Sequence, residues 1–165
     1  MSLYDTMVRS VALGQPAWGD ARDRVQKMID DGADVESRIT SSKRLIQSLP
    51  DELTYGGGDV PKLLKVAIYY NNGEAMKMLV DADAKDIGNL DLFLRQTLQS
   101  TWTGDQETTE RMIATMRPWL QSAPSGPLRD IPNRKFVAWL QMAPHTAPQW
   151  LRDAWKELLE LPPLE

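Results

Sequence analysis

The sequence predicts an all-α fold of about four consecutive helix pairs, and three observations carry that prediction. Apolar residues recur at helical spacing in segment after segment. Gly, Pro and Asp punctuate the intervals between those segments. Strand-like alternation and runs rich in β-branched residues are absent throughout.

The first helix is expected over Leu3 to Leu13, with Leu3, Met7, Val8 and Val11 on one face and Gly14 and Pro16 ending it. A second starts after Asp20 as N-cap and runs to about Asp31. There Ala21, Val25, Met28 and Ile29 form the inner stripe and Gly32 is the stop. Residues 38–60 are less regular and read as an insertion: Leu45, Ile46 and Leu49 suggest a short helix ended by Pro50, and Gly56-Gly57-Gly58 makes a flexible break. Pro61 suits the first turn of a third helix, Lys62 to Tyr70, which is apolar on most sides and should be sandwiched between neighbours. Asn72 caps the fourth, with Ala75, Met76, Leu79 and Val80 inward. Asn89 caps the fifth, with Leu90, Phe93, Leu94, Thr97 and Leu98 inward. Asp105 caps the sixth, where Met112, Ile113, Met116, Trp119 and Leu120 keep the period and Pro118 loosens the last turn. Residues 121–132 read as a loop. Phe136, Val137, Leu140 and Ala143 mark the seventh helix. The eighth opens on the capping-box spacing Thr146-x-x-Gln149, continues through Trp150, Leu151, Ala154, Trp155 and Leu158, and stops at Pro162-Pro163.

Composition narrows the function classes. A chain of 165 residues with 42% hydrophobic and 25% charged residues has ordinary globular composition. The net charge is −4 and the densest basic clusters are the doublets Lys43-Arg44 and Arg134-Lys135, so nucleic acid is not expected as a partner. No Cys is present, which removes disulfides, thiolate nucleophiles and zinc–sulfur sites. The opening Met-Ser-Leu-Tyr-Asp lacks a signal-peptide pattern, and no apolar run approaches the roughly 18 residues of a membrane span. A cytoplasmic location, with the nucleus as the variant, and no membrane partner are the expectations.

One family pattern stands in the chain. Val25 to Ser37 reads Val-Gln-Lys-Met-Ile-Asp-Asp-Gly-Ala-Asp-Val-Glu-Ser and resembles the end of an ankyrin repeat: the aliphatic pair Met28-Ile29, then Gly32-Ala33-Asp34-Val35. A worn copy follows, with Leu79-Val80 as the pair, Asp83-Ala84 in place of Gly-Ala, and Asn71-Asn72 and Glu74 in the inter-helix turn. A third shows Trp102-Thr103-Gly104-Asp105-Gln106-Glu107 as the turn and Met112-Ile113 as the pair. The pair moves 51 residues from Met28 to Leu79 and 33 from Leu79 to Met112. The second interval matches the ankyrin period of about 33, and the first fits one repeat plus the 38–60 insertion. The Thr-Pro-Leu-His opening of that family is missing, although Val60-Pro61 keeps its proline. The resemblance covers about residues 19–120 and implies a single ankyrin-like helical-repeat solenoid over 1–165. Short helical hairpins cannot bury their apolar faces alone, which independently favours stacking. A polar outer face on the last helix (Arg152, Asp153, Lys156, Glu157, Glu160) suits a chain end.

Motifs that would carry chemistry have simpler explanations. Asp30, Asp31 and Asp34 have a D-D-x-x-D spacing that suits magnesium, but the Gly-Ala-Asp turn accounts for the same residues. Asp81-x-Asp83-x-Lys85 puts a lysine where a calcium loop needs an oxygen. Gly56-Gly57-Gly58 followed by Lys62 lacks the spacing of a phosphate loop. His145 is the only histidine and sits at a predicted turn. No catalytic residues, metal or cofactor are therefore expected, and the chain is not read as an enzyme.

The feature left over is aromatic. Aligning the inter-helix turns puts Trp18, Tyr69 or Tyr70, and Trp102 near the end of the first helix of successive repeats. The resemblance implies that such positions lie on a concave binding face, with Lys65, Arg95 and Gln99 nearby. Trp and Tyr dominate interface energetics, although the same rings could equally fill gaps between worn repeats. Trp119, Trp139, Trp150 and Trp155 are expected in the core. The function expected is a protein-binding adaptor. The alternatives are a self-associating structural subunit (a homodimer through the Trp-rich C-terminal helices) and, further off, a magnesium-dependent small-ligand or enzyme domain.

Overall fold

The computed structural model describes residues 2–38, 40, 42–55, 59–87, 90–118 and 147–159, and every regular element among these described residues is a helix. Expectations for Gly56 to Gly58, Asn89, Trp119, Leu120, the loop 121–132, the seventh helix with Trp139, His145, Thr146, Glu160 and Pro162-Pro163 lie outside them. The chain divides into two units, Met1–Gly88 and Asn89–Glu165.

In the first unit, α1 spans Leu3–Leu13. Ser2 caps it, its Oγ accepting from the Asp5 amide at 3.1 Å. Leu3, Tyr4, Met7, Val8 and Val11 are buried along one face. Gly14, at φ 74°, ends the helix and its N–H donates to the Ser10 and Val11 carbonyls.

The second helix, α2, spans Ala17–Asp30 and so begins before Asp20, the residue expected to cap it. Pro16 precedes the first turn, where it has no amide donor to strand. The Trp18 N–H already bonds back to the Gly14 carbonyl at 3.0 Å. Asp20 lies inside the first turn, where a carboxylate complements the helix dipole. Trp18, Ala21 and Val25 are buried.

Within the 38–60 segment the described residues form two short helices, α3 (Lys43–Gln47) and α4 (Asp51–Thr54), with Pro50 between them. Leu45, Ile46, Leu49 and Leu53 are buried, so this segment contributes to the core.

Helix α5 spans Leu63–Tyr69, with Lys62 as N-cap and Pro61 just outside the helix. The Pro61 carbonyl accepts from the Tyr4 hydroxyl at 2.6 Å. Leu63 through Ile68 are all buried because α5 packs against α1, α4 and α6, the sandwiched position its composition implies. Helix α6 spans Gly73–Asp81, and the Asn72 Oδ1 accepts from the Ala75 amide at 2.9 Å. Two helical hairpins result, α1 with α2 and α5 with α6, joined through α1 and α5.

Three helix ends in this unit close alike. After α2, Ala33 N–H donates to the Met28 carbonyl and Gly32 N–H to that of Ile29, with Gly32 at φ 98°. After α6, Ala84 donates to Leu79 and Asp83 to Val80, with Asp83 at φ 70°. After α5, Asn72 donates to Ala67 and Asn71 to Ile68, with Asn71 at φ 54°. Each is a Schellman closure, which needs a left-handed residue at its first position beyond the cap. Glu36 then holds loop to loop: its Oε1 accepts from the Lys85 amide at 2.9 Å, and Lys62 Nζ donates to its carbonyl at 2.9 Å.

In the second unit, α7 spans Leu90–Thr97, α8 spans Gln106–Thr115 and α9 spans Gln149–Leu159. Asp105 caps α8 through the Thr108 amide at 3.1 Å. The helix closes at Met116, two residues ahead of Pro118. Helix α9 packs on α8. Phe93 stands edge-on to Trp155 at 5.4 Å and to Trp102 at 6.2 Å, forming the aromatic centre of the unit. Trp155 is fully buried and its Nε1 donates to Thr97 Oγ1 at 2.8 Å. Trp150 is only half-buried. No helix among the described residues is long and apolar enough to cross a membrane.

Candidate interaction site

The residues marked out by sequence separate into interior and surface groups. Trp18 sits in the first turn of α2, not at the end of α1, and is 2% exposed. Its Nε1 donates to Glu74 Oε1 at 2.8 Å, so the indole joins α2 to α6. Lys65 is also 2% exposed. Its Nζ donates to the Leu53 carbonyl at 3.2 Å and lies 4.3 Å from the centre of the Tyr55 ring. Both side chains therefore pack within the first unit.

Tyr69 and Tyr70 remain at the surface of the first unit. Both are half-buried at the C-terminal end of α5, with ring centres 5.0 Å apart in an edge-to-face pair. Burial, then the neighbouring Tyr69 phenol, raises the pKa of Tyr70 above its ordinary value. The pair offers two apolar ring bodies with polar tips.

In the second unit Trp102 is half-buried on the turn before α8, its Nε1 donating to Thr109 Oγ1 at 3.1 Å. The ring lies flat over Gly104: a Cβ there would fall 2.6 Å from the indole. The glycine of this turn thus makes room for the ring. Arg95 is half-buried, and Gln99 is exposed with its Nε2 donating to Gln96 Oε1 at 3.2 Å.

Sequence reasoning missed two surface features. One is an open cleft of about 370 Å³ between α1 and α3, lined by Arg9, Ala12, Leu13, Arg44, Leu45 and neighbouring serines. Only its α1 wall was legible, since Leu13 lies off the Leu3-Met7-Val11 stripe of its own helix. The other is a cleft of about 450 Å³ between α8 and α9, floored by Ile113, Ala114, Trp150 and Ala154. An Arg117–Glu157 ion pair at 3.0 Å lies along it.

Asp30 and Asp31 point into solvent, while Asp34 Oδ1 accepts from the Glu36 amide at 2.9 Å and so shapes its own turn. Among the described residues no group of three or more His, Cys, Asp or Glu is placed to hold a metal ion. No protein-family model matches the chain, and neither does any curated protein or solved structure.

Proposed function

We propose that the chain is a protein-interaction module, an ankyrin-like helical-repeat solenoid that acts in the cytoplasm or nucleus as an adaptor. The observation that carries this reading is the recurrence of the helical hairpin, α1 with α2 and α5 with α6, with matched closures after α2 and α6. Gly32-Ala33 and Asp83-Ala84, aligned from their aliphatic pairs, make the same two backbone hydrogen bonds with a left-handed residue in the same place. A hairpin that recurs with its terminal turn intact supports repeat architecture, and repeat architectures offer extended surfaces for partner chains. The Tyr69–Tyr70 pair at the α5–α6 turn is the binding feature in the first unit, with Trp102, Arg95 and Gln99 in the second. Trp18 and Lys65 pack the interior of the first unit.

The test is affinity capture with the wild-type chain and with Tyr69→Ala/Tyr70→Ala and Trp102→Ala variants, together with circular dichroism of each. Loss of the same captured protein from folded variants supports the reading. Retention by both variants, or capture of nothing alongside a concentration-dependent dimer mass in light scattering, replaces it with a self-associating subunit.

A further inference from the structure

The cleft between α1 and α3 combines an exposed aliphatic side chain with two arginines. Leu13 is 69% exposed, the most exposed of the large hydrophobic side chains described. It projects from the α1 face that also carries Arg9, one turn earlier. Across the cleft, buried Leu45 forms the floor and exposed Arg44 the far wall.

The charges here are unmatched. Arg22, Arg38, Lys62 and Lys77 of the same unit each have a carboxylate within 4.0 Å. Among the described residues neither Arg9 nor Arg44 has one, and no carboxylate lines the cleft. The serine hydroxyls there are already engaged: Ser42 Oγ accepts from the Leu45 amide at 3.2 Å, and Ser48 Oγ donates to the Leu45 carbonyl at 2.6 Å. The donors left for a ligand are therefore the two guanidinium forks, which match carboxylates bidentately, and the Ser42 hydroxyl, which only accepts within the chain.

We propose that this cleft binds an acidic peptide segment of a partner protein, with Arg9 and Arg44 pairing to carboxylates and Leu13 and Leu45 receiving an apolar side chain between them. The cleft, at about 370 Å³, lies at the small end of ligand-site size, which suits one side chain and its flanks. Two arginines on a chain of net charge −4 release too few counterions to hold a nucleic acid backbone. A simple anion would leave Leu13 unused. Carboxylates flanking an aliphatic residue use every group the cleft presents. The proposal does not depend on the repeat reading, because it rests on α1 and α3 alone.

The test is amide-shift NMR of the full chain titrated with a synthetic nonapeptide of glutamates around a central leucine. Shifts confined to Arg9, Ala12, Leu13, Leu45 and their neighbours are expected. Affinity should weaken about tenfold in Arg9→Glu, in Arg44→Glu and in Leu13→Ser, and likewise when serine replaces the peptide's leucine. All three positions are exposed, and amide spectra of the free variants report retained folding directly. Arg9→Gln, which removes charge without reversing it, should fall between. Tyr69→Ala/Tyr70→Ala should leave the titration unchanged, separating this cleft from the adaptor surface. No shift at millimolar peptide, shifts centred elsewhere, or equal binding by the serine peptide overturns the proposal. Tighter binding of an oligothymidylate overturns it in favour of a generic polyanion patch.

Discussion

Replacing Trp18 tests whether the aromatic residues of the first unit are ligand contacts or structural members. The indole is 2% exposed. A buried tryptophan removes about 150–250 Å² from water. At about 25 cal/mol per Å² that corresponds to about 4–6 kcal/mol, an upper figure because unfolded chains already bury some of this area. Measured losses for aromatic truncation in cores run at about 3–5 kcal/mol, so Trp18→Ala should cost about 3–4 kcal/mol. That is a large share of the roughly 5–15 kcal/mol available to a domain. Trp18→Phe keeps most of the ring but loses the donor to Glu74. A hydrogen bond to a charged group contributes about 1.5–3 kcal/mol when buried. The Glu74 side chain is 47% exposed and water replaces the lost partner, which lowers the expected cost to about 1 kcal/mol. Urea unfolding followed by far-ultraviolet circular dichroism reads both changes, and a cycle with Glu74→Gln isolates the pair. An Ala variant with the wild-type midpoint would refute interior packing and return Trp18 to the surface.

Asp83 holds a left-handed conformation at φ 70° where the matching residue of α2 is glycine, so Asp83→Gly should stabilise the chain by about 0.5–1 kcal/mol; a lowered urea midpoint contradicts this. Gly104→Ala forces the Trp102 ring off its seat and should cost about 1–3 kcal/mol while red-shifting tryptophan emission; unchanged stability means the ring has room to spare. Burial, helped by the Asp5 and Asp59 carboxylates and opposed by Arg38, pushes the Tyr4 phenol well above its ordinary value of 10.0. The folded chain then keeps a proton that the unfolded chain gives up. Stability should be level below about pH 10 and fall above it, by at most about 1.4 kcal/mol per pH unit, and Tyr4→Phe should flatten that alkaline limb in pH-dependent melts.

Local chemistry was the most legible part of the sequence. Helix α1 falls on Leu3–Leu13 as its periodicity implies, and the Asn72 and Asp105 caps bond as their positions suggest. These features depend on neighbours within one turn. The start of α2 was not legible, because Asp20 is a good cap in isolation, whereas the helix begins at Ala17 with Trp18 buried in its first turn. The orientation of Lys65 was equally hidden. A lysine on an apolar helix normally reaches solvent, and here its acceptor, the Leu53 carbonyl, comes from a segment whose folding the sequence left open. The Arg9–Leu13 cleft escaped notice for a related reason: its second wall is α3, an element of five residues with too little periodicity to assign a face.

That lysine also bears on what can be done to the gene. Residues 38–60 look like an accretion that an engineer would trim to recover a regular repeat length. Deleting them strips Lys65 of both the Leu53 oxygen and the Tyr55 ring, and takes the buried side chains of Leu45, Ile46, Leu49 and Leu53 out of the core. Losing even one such side chain costs about 2–5 kcal/mol. A shortened version therefore has to cover the apolar surface that the segment shields, and the apparent accretion behaves as a structural part of the domain.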